Sequence, residues 1–286
     1  MSNRQFDRIA SITIGKAGSA NAVVVTENKI SFTASKFSDK TKNRATIRIH
    51  NLSKDTRNRI DRVDDLVVIE AGYRQGSGLA SLFVGNIVSV TSATIQPDVV
   101  TVIEALDGNV ALRDTNLSVS FAPGTKCGDI IDKVVSALSL PYTKVKELFG
   151  TAEFTNAFSF AGPASDALTK VTGKLGLEWA IRNNELVIVK KGQTDGNVAP
   201  LLSPSSGMIG SPQRVDDIRK GSEASDKQPG WKITSLLRPE IEVSSGIIVQ
   251  SKEIEKQTIF RVESVEHIGD NYGDEWTSST VVSEIL

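Results

Sequence analysis

The sequence predicts a mainly β protein with a small α/β module between two strand-rich segments. Three observations carry this. Alternating apolar runs of strand length fill the first and last thirds of the chain. Between about residue 120 and residue 192 the apolar period becomes helical. Short clusters of Gly, Pro, Asn and Asp separate the elements.

"ATIRIHNL" places Ala45, Ile47 and Ile49 on one face and Thr46, Arg48 and His50 on the other. "SKDTRNRI" is a short helix with Ser53 as N-cap and Asp55 in the first turn. "DLVVIEAGY" returns to a strand with Val67, Ile69, Ala71 and Tyr73 on one face, and "RQGSG" is a turn by its glycines. "SLFVGNIVSV" and "DVVTVIEAL" are further strands, separated by "TSATIQP". "GTKCGDIIDKVVSAL" is a helix with Thr125 as candidate N-cap, and Pro141 stops it. A strand "FTNAFSF" follows. "PASDALTKVTGKLG" is a second helix, with Pro163 at its first position, Leu168, Val171 and Leu175 on one face and Gly176 at its C-cap. "LEWAIRNNELVIV" is a hairpin turning at Asn183-Asn184. "KKGQTDGNVAP" reads as a linker. "GWKITSLL", "SGIIVQSK", "QTIFRVESVEH" and "WTSSTVVSEI" are the closing strands, with Trp231, Phe260 and Trp276 expected in their core. The polar stretch 213–230 has no apolar period and reads as a long loop. The expected domains are 1–112, 113–195 and 196–286.

The composition narrows function mostly by exclusion. A net charge of −1 gives no bulk attraction to nucleic acid or acidic lipid. Cys127 is the only cysteine, which excludes an intrachain disulfide. The N-terminus has no apolar core of signal-peptide length, and no run is long enough for a membrane span, so a cytoplasmic origin is expected. One cluster invites chemistry: His267, Asp270 and Asp274 in "HIGDNYGD". It supports an alternative reading as a cell-wall hydrolase or metal-dependent enzyme. Against it, His267 ends an apolar strand, the following residues have hairpin-turn chemistry, and His50 is the only other histidine. Cys127 lies in the first turn of a predicted helix but has no base nearby in sequence. No catalytic, cofactor or metal residue is therefore assigned. "KFSDKTKNR" sets Lys36, Lys40, Lys42 and Arg44 against Asp39 alone, and is the candidate partner-contact loop. Its tip is expected to project.

The ordered segments "IRIHNLSKDTRNRI", "VVIEAGYRQGSGLASLFVGNIVSV", "IEALDGNVALRD", "TNAFSFAGPASDALTKVTGKLGLEWAIRNNELVIV", "LLSPSSGMIGSPQ" and "FRVESVEHIGDNYGDEWTSSTVV" resemble the baseplate hub proteins of contractile-tailed bacteriophages. The resemblance implies two tail-tube-like β-barrel domains plus an inserted α/β domain. It implies a homotrimer that joins the six-fold tail tube, or a tube-initiator protein, to a three-fold central spike. Baseplate wedge and tape measure proteins are further candidate partners. It implies no enzyme activity and no cofactor, a place in the virion tail after assembly in the host cytoplasm, and DNA only in transit. In that family the turn matching His267, Gly269, Asp270 and Asn271 is a hairpin turn.

Overall fold

The computed structural model describes every residue except 1–6, 17, 19–20, 40, 61, 77, 143–148, 198–199, 219–227, 255 and 286. The fold is mainly β, and its two longest helices lie in the middle of the chain.

In the first third, β1 (Arg8–Gly15), β2 (Val23–Val25), β3 (Ile30–Phe37) and β4 (Arg44–His50) precede a short helix, α1 (Lys54–Ile60). The Ser53 hydroxyl accepts the Thr56 N–H at 3.1 Å, as an N-cap does. β5 (Leu66–Tyr73), β6 (Gly78–Ile95) and β7 (Asp98–Leu106) follow as an antiparallel meander. β6 is longer than the sequence suggests. "TSATI" continues the strand, and the chain reverses at Gln96-Pro97. These residues are exposed on both faces, so no apolar alternation marks them.

α2 (Asn109–Asp114) leads into the middle unit. There β8 (Asn116–Phe121) pairs with β11 (Phe158–Pro163), and β9 (Thr125–Lys126) pairs with β10 (Glu153–Phe154). β12 (Leu177–Arg182) pairs with β13 (Glu185–Lys190). Their turn holds Asn183 and Asn184 at φ 54° and 63°, which asparagine tolerates. α3 (Cys127–Leu138) packs on α4 (Ala164–Lys174). Thr125 does not cap α3. Its hydroxyl donates to the Ala122 carbonyl at 2.7 Å, and Lys126 holds the N-cap position.

The last third contains β14 (Leu201–Leu202), β15 (Met208–Val215), β16 (Gly230–Leu236), β17 (Gly246–Val249), β18 (Thr258–Asp270) and β19 (Trp276–Glu284). β15 takes in Gln213–Val215, the front of the segment read as a loop, because those residues pair with β16. Residues 219–227 of that segment lie outside the described residues.

Thirteen described strands form one sheet. Its main path is β15-β16-β19-β18-β3-β4-β7-β6-β5-β1-β2, with β17 on β18 and β14 on β17. The two strand-rich segments thus meet at the antiparallel β3–β18 ladder. Three apolar clusters lie under this topology. Ile12, Phe32, Ile47, Ile69, Phe83 and Ile103 centre the first. Ile131, Val134, Leu168, Val171 and Trp179 centre the second, between the helices and β12–β13. Leu202, Ile233, Phe260, Val262 and Val282 centre the third.

Trp231 packs against the third cluster and Phe260 lies within it, but Trp276 belongs to the first. β19 runs from one core to the other, so its two ends serve different clusters. Trp276 meets Phe32 edge-on at 5.7 Å between centroids and Tyr73 at 6.5 Å. Gly269, paired with Trp276 across the ladder, leaves room for this packing, since a Cβ there would collide with the Phe32 ring. Trp276→Ala is expected to destabilise the protein by about 3–5 kcal/mol in denaturant unfolding, the usual range for a buried aromatic truncation. A loss well under ~1 kcal/mol would show that the indole does not tie the last strand to the first core.

Candidate functional site

The described residues of the basic loop are tied to the body of the protein. On β3, Ile30, Phe32, Ala34 and Lys36 alternate onto the buried face, and Lys36 is fully buried. Its Nζ lies 2.8 and 2.9 Å from the two Glu242 carboxylate oxygens and donates to Asn183 Oδ1 at 3.0 Å. Ser38, Lys42 and Asn43 also hold to the protein. Ser38 donates its N–H to the Glu263 carbonyl at 2.9 Å and its hydroxyl to Glu263 Oε2 at 2.6 Å. Asn43 accepts the Phe37 N–H at 2.8 Å and donates to the Ile181 carbonyl at 2.6 Å. Lys42 donates to Asn109 Oδ1 at 2.9 Å. Arg44 is exposed at the start of β4, and Lys40 lies outside the described residues. Of the four basic residues, Lys36 is thus withdrawn from any partner, because strand alternation turns it inward.

Lys36 belongs to a polar junction where the three cores meet. Asp107, at the end of β7, is buried. Its carboxylate accepts the N–H of Asn183 at 2.8 Å, the N–H of Asn184 at 2.7 Å and Asn43 Nδ2 at 3.2 Å. Burial pushes its carboxyl up to about 6, against these hydrogen bonds, which favour the charged form. Asn183 Nδ2 also donates to Glu242 at 2.8 Å. Arg182 donates to Asp195 at 2.8 Å and to the Val243 carbonyl at 3.2 Å. Arg261 of β18 pairs with Glu178 of β12 and, at 3.2 Å, with Glu263. The β12–β13 turn is therefore held by residues from both strand-rich segments. The predicted linker takes part, since Asp195 anchors Arg182.

The His267 cluster does not converge. Positions three apart on a strand point to opposite faces. His267 points inward, fully buried, with Nδ1 2.8 Å from the Ser278 hydroxyl. Burial and the nearby Lys36 ammonium lower its ring to about 3, so it is neutral. Asp270 closes the turn by accepting the N–H groups of Tyr272 at 2.9 Å and Gly273 at 2.7 Å, and pairs with Lys29 at 3.6 Å. Asp274 is exposed beyond it. Among the described residues no group of three His, Cys, Asp or Glu is placed to hold a metal ion. Cys127 is buried, and that burial raises its thiol. Charged groups at the junction engage one another, an arrangement that fixes elements in place.

The profile of the family described as baseplate hub gp41 matches residues 10–253. The chain belongs to that family. Its role is structural, as a component of a phage tail baseplate hub. None of the curated proteins searched matches the chain. Among solved structures, a 43 kDa tail protein of prophage MuSo2 from Shewanella oneidensis is similar in fold. Its TM-score is 0.67 at 9% identity, over 96% of both chains. A tail protein from Neisseria meningitidis MC58 has a TM-score of 0.65 at 12% identity, over 98% of this chain and 97% of that one. An Escherichia coli component of the type VI secretion system has a TM-score of 0.61 at 12% identity, over 96% of this chain and 77% of that one. At these identities the likeness is one of fold. The junction residues Asn43, Asp107, Asn183 and Glu242 escaped the sequence reading. Only Lys36 left a trace there, in the alternation of "ISFTASKF".

Two outcomes are expected for this hub family member. Glu242→Ala leaves a buried ammonium without its carboxylate and should cost about 3–5 kcal/mol, whereas Lys36→Met should cost distinctly less. Equal losses in denaturant unfolding would show that the ammonium reaches water. The second outcome concerns pH. The unfolded chain protonates His267 near its ordinary 6.5 and the folded chain only near 3, so stability falls as pH drops through that window. Asp107 works the other way and adds stability between about 6 and its ordinary value near 4. His267→Gln removes the first contribution alone. The stability of wild type minus variant should shrink by up to ~1.4 kcal/mol per pH unit below about pH 6. A difference that stays flat with pH would mean that the ring titrates as it does in the unfolded chain.

Proposed function

We propose that three copies of this hub chain form a ring that adapts a six-fold tail tube, or its initiator protein, to a three-fold central spike. On this reading residues 1–112 and 196–286 each supply one tube-like β-unit, and residues 113–195 stand beside the ring. Three chains then offer six similar positions to one neighbour and three identical ones to the other. The observation that carries the reading is the β3–β18 ladder. It sets the two strand-rich segments side by side in one sheet, with a shared face away from the cores. One cross-sheet row on that face reads Leu236, Thr277, Ile268, Thr33, Thr46 and Glu104. The next reads Thr234, Ser279, Glu266, Ser35 and Arg44. Hydroxyls dominate, and the few charges are of both signs. Such a surface suits a conduit through which DNA passes without being gripped, since duplex binding rests on clustered Lys and Arg.

The hub acts without catalysis on this reading, because its ionisable clusters are engaged internally and His267 is sealed from solvent. Wedge and tape measure proteins contact its periphery, assembly takes place in the host cytoplasm, and the tail is contractile. A reconstruction of the tail tip tests this. Three chains per ring are expected, with 1–112 and 196–286 superposing as similar β-units around the channel. Six chains per ring, or residues 125–190 lining the channel, would overturn the adaptor reading.

A further inference from the structure

We propose that Lys36 and Asn183 join through an isopeptide bond in the folded chain, with Glu242 carrying the protons. The inference goes beyond the hub reading and does not depend on it. Lys36 is fully buried on β3, opposite the buried Val265 of β18. Its Nζ donates to Asn183 Oδ1 at 3.0 Å, so the carboxamide carbon Cγ lies one bond past the contact. Glu242 touches both partners. Its carboxylate oxygens stand 2.8 and 2.9 Å from Nζ, and Oε1 accepts Asn183 Nδ2 at 2.8 Å. An amine, a carboxamide and a carboxylate thus close a ring of three contacts. They are a nucleophile, an electrophile with its leaving group, and a base within reach of both.

The fold holds each of the three groups in place. Strand alternation turns Lys36 inward. Asn183 sits in the β12–β13 turn at φ 54°, and its N–H and that of Asn184 are both held by Asp107, at 2.8 and 2.7 Å. Glu242 lies between the buried Ile241 and Val243, and its carbonyl accepts the Ser245 hydroxyl at 2.6 Å. Groups fixed within contact distance react as if at very high concentration. A second lysine shows what the site adds. Lys42 donates to Asn109 Oδ1 at 2.9 Å, but it is only half-buried, and among the described residues no carboxylate joins that pair.

The reaction needs no other reagent. Nζ passes a proton to Glu242, which turns a buried ion pair into two neutral groups, as a dry site favours. The Nζ lone pair attacks Asn183 Cγ, and charge moves onto Oδ1. Glu242 delivers its proton to Nδ2 and takes a second one from Nζ. The Cγ–Nδ2 bond breaks, ammonia leaves, and an amide bond between Nζ and Cγ remains. The departing ammonia takes the last proton from Glu242. One C–N bond thus replaces another, the lysine charge leaves as an ammonium ion, and nothing is oxidised or reduced. A hollow of about 380 Å³, lined in part by Asn183, Glu242 and Glu185, gives the ammonia a way out. The bond ties β3 of the large sheet to a turn of the middle unit 147 positions away. Hydrogen bonds at the junction can open one at a time, whereas this tie cannot.

The experiment is an intact mass of the purified full chain, followed by peptide mapping. Lys36→Met and Glu242→Ala should both lack the bond, so the stability contrast between them still reads the stranded ammonium. Wild type should weigh less than its sequence requires by one ammonia. Its digest should contain a branched peptide joining the segments that hold Lys36 and Asn183. Lys36→Met and Asn183→Gly, the latter suited to the positive φ of the turn, should show full mass and no branch. Glu242→Gln keeps the shape but cannot carry the proton, and should slow bond formation by about 10²–10⁴. The wild-type map decides alone if a variant fails to fold. Full mass with separate peptides would overturn the bond and leave the hub reading intact. Loss of ammonia on an unbranched Asn183 peptide, the mark of cyclisation onto its own backbone, would overturn it as well. Bond formation at the wild-type rate in Glu242→Gln would overturn the role of Glu242.

Discussion

The structure depends on one long-range constraint, the pairing of β3 with β18. Ser35 and Glu266, hydrogen-bonded at 3.2 Å across this ladder, are 231 positions apart. Every other strand of the large sheet takes its place outward from this pair. A slip of one residue would turn the whole inward set of β3 to the other face. Lys36 makes such a slip costly. In the observed register its ammonium meets Glu242 and Asn183; in the slipped one it would point away from both, and Ser35 and Phe37 would take the inward positions. A buried ion pair is weak support for stability in general, because desolvation offsets most of the attraction. Here its geometry selects among registers, a role an apolar residue would fill less strictly.

The same junction explains how the middle unit is held. Its helices and β12–β13 ribbon have a core of their own, so the unit needs only to be positioned. Positioning comes through the Asn183-Asn184 turn. Turn N–H groups would be orphaned if buried, and Asp107 satisfies two of them at once. Asn43 bridges from the β3–β4 loop to Asp107 and to the Ile181 carbonyl. Polar contacts of this kind are directional, while apolar contacts are not. These directional contacts fix the orientation of the unit on the sheet.

What was legible in the sequence follows from how local each signal is. β4, β5, the α1 cap and the Asn183-Asn184 hairpin are written in residues within a few positions of one another, and all four are where the periodicity places them. The end of β6 left no trace because an arm exposed on both faces has no apolar alternation. Trp276 was assigned to the wrong core because nothing in "WTSSTVVSEI" shows that its strand crosses from one cluster to another. The basic loop misled for a related reason. Lysines near a turn read as solvated, and only the phase of Ile30, Phe32, Ala34 and Lys36 sets one of them apart. Asp107 and Glu242 could not be found at all, since each matters through partners distant in the chain.

A shared sheet also limits where a hub of this kind can adapt. If the two strand-rich segments were joined by a flexible linker, each could tilt to suit its own neighbour. The ladder removes that freedom, because rotating one segment against the other would break backbone hydrogen bonds along β3 and β18 together. Adjustment is left to the margins. At one end of the sheet β2 is three residues long with Val24 exposed, and at the other β15 carries a register shift between Ile209 and Gln213. Short or irregular edges resist indiscriminate pairing and accept only partners of matching shape. A rigid centre with selective margins suits the proposed joint between two symmetries. On that proposal the ladder keeps the two strand-rich segments in fixed relation, and any difference between the neighbours is absorbed by edges and loops.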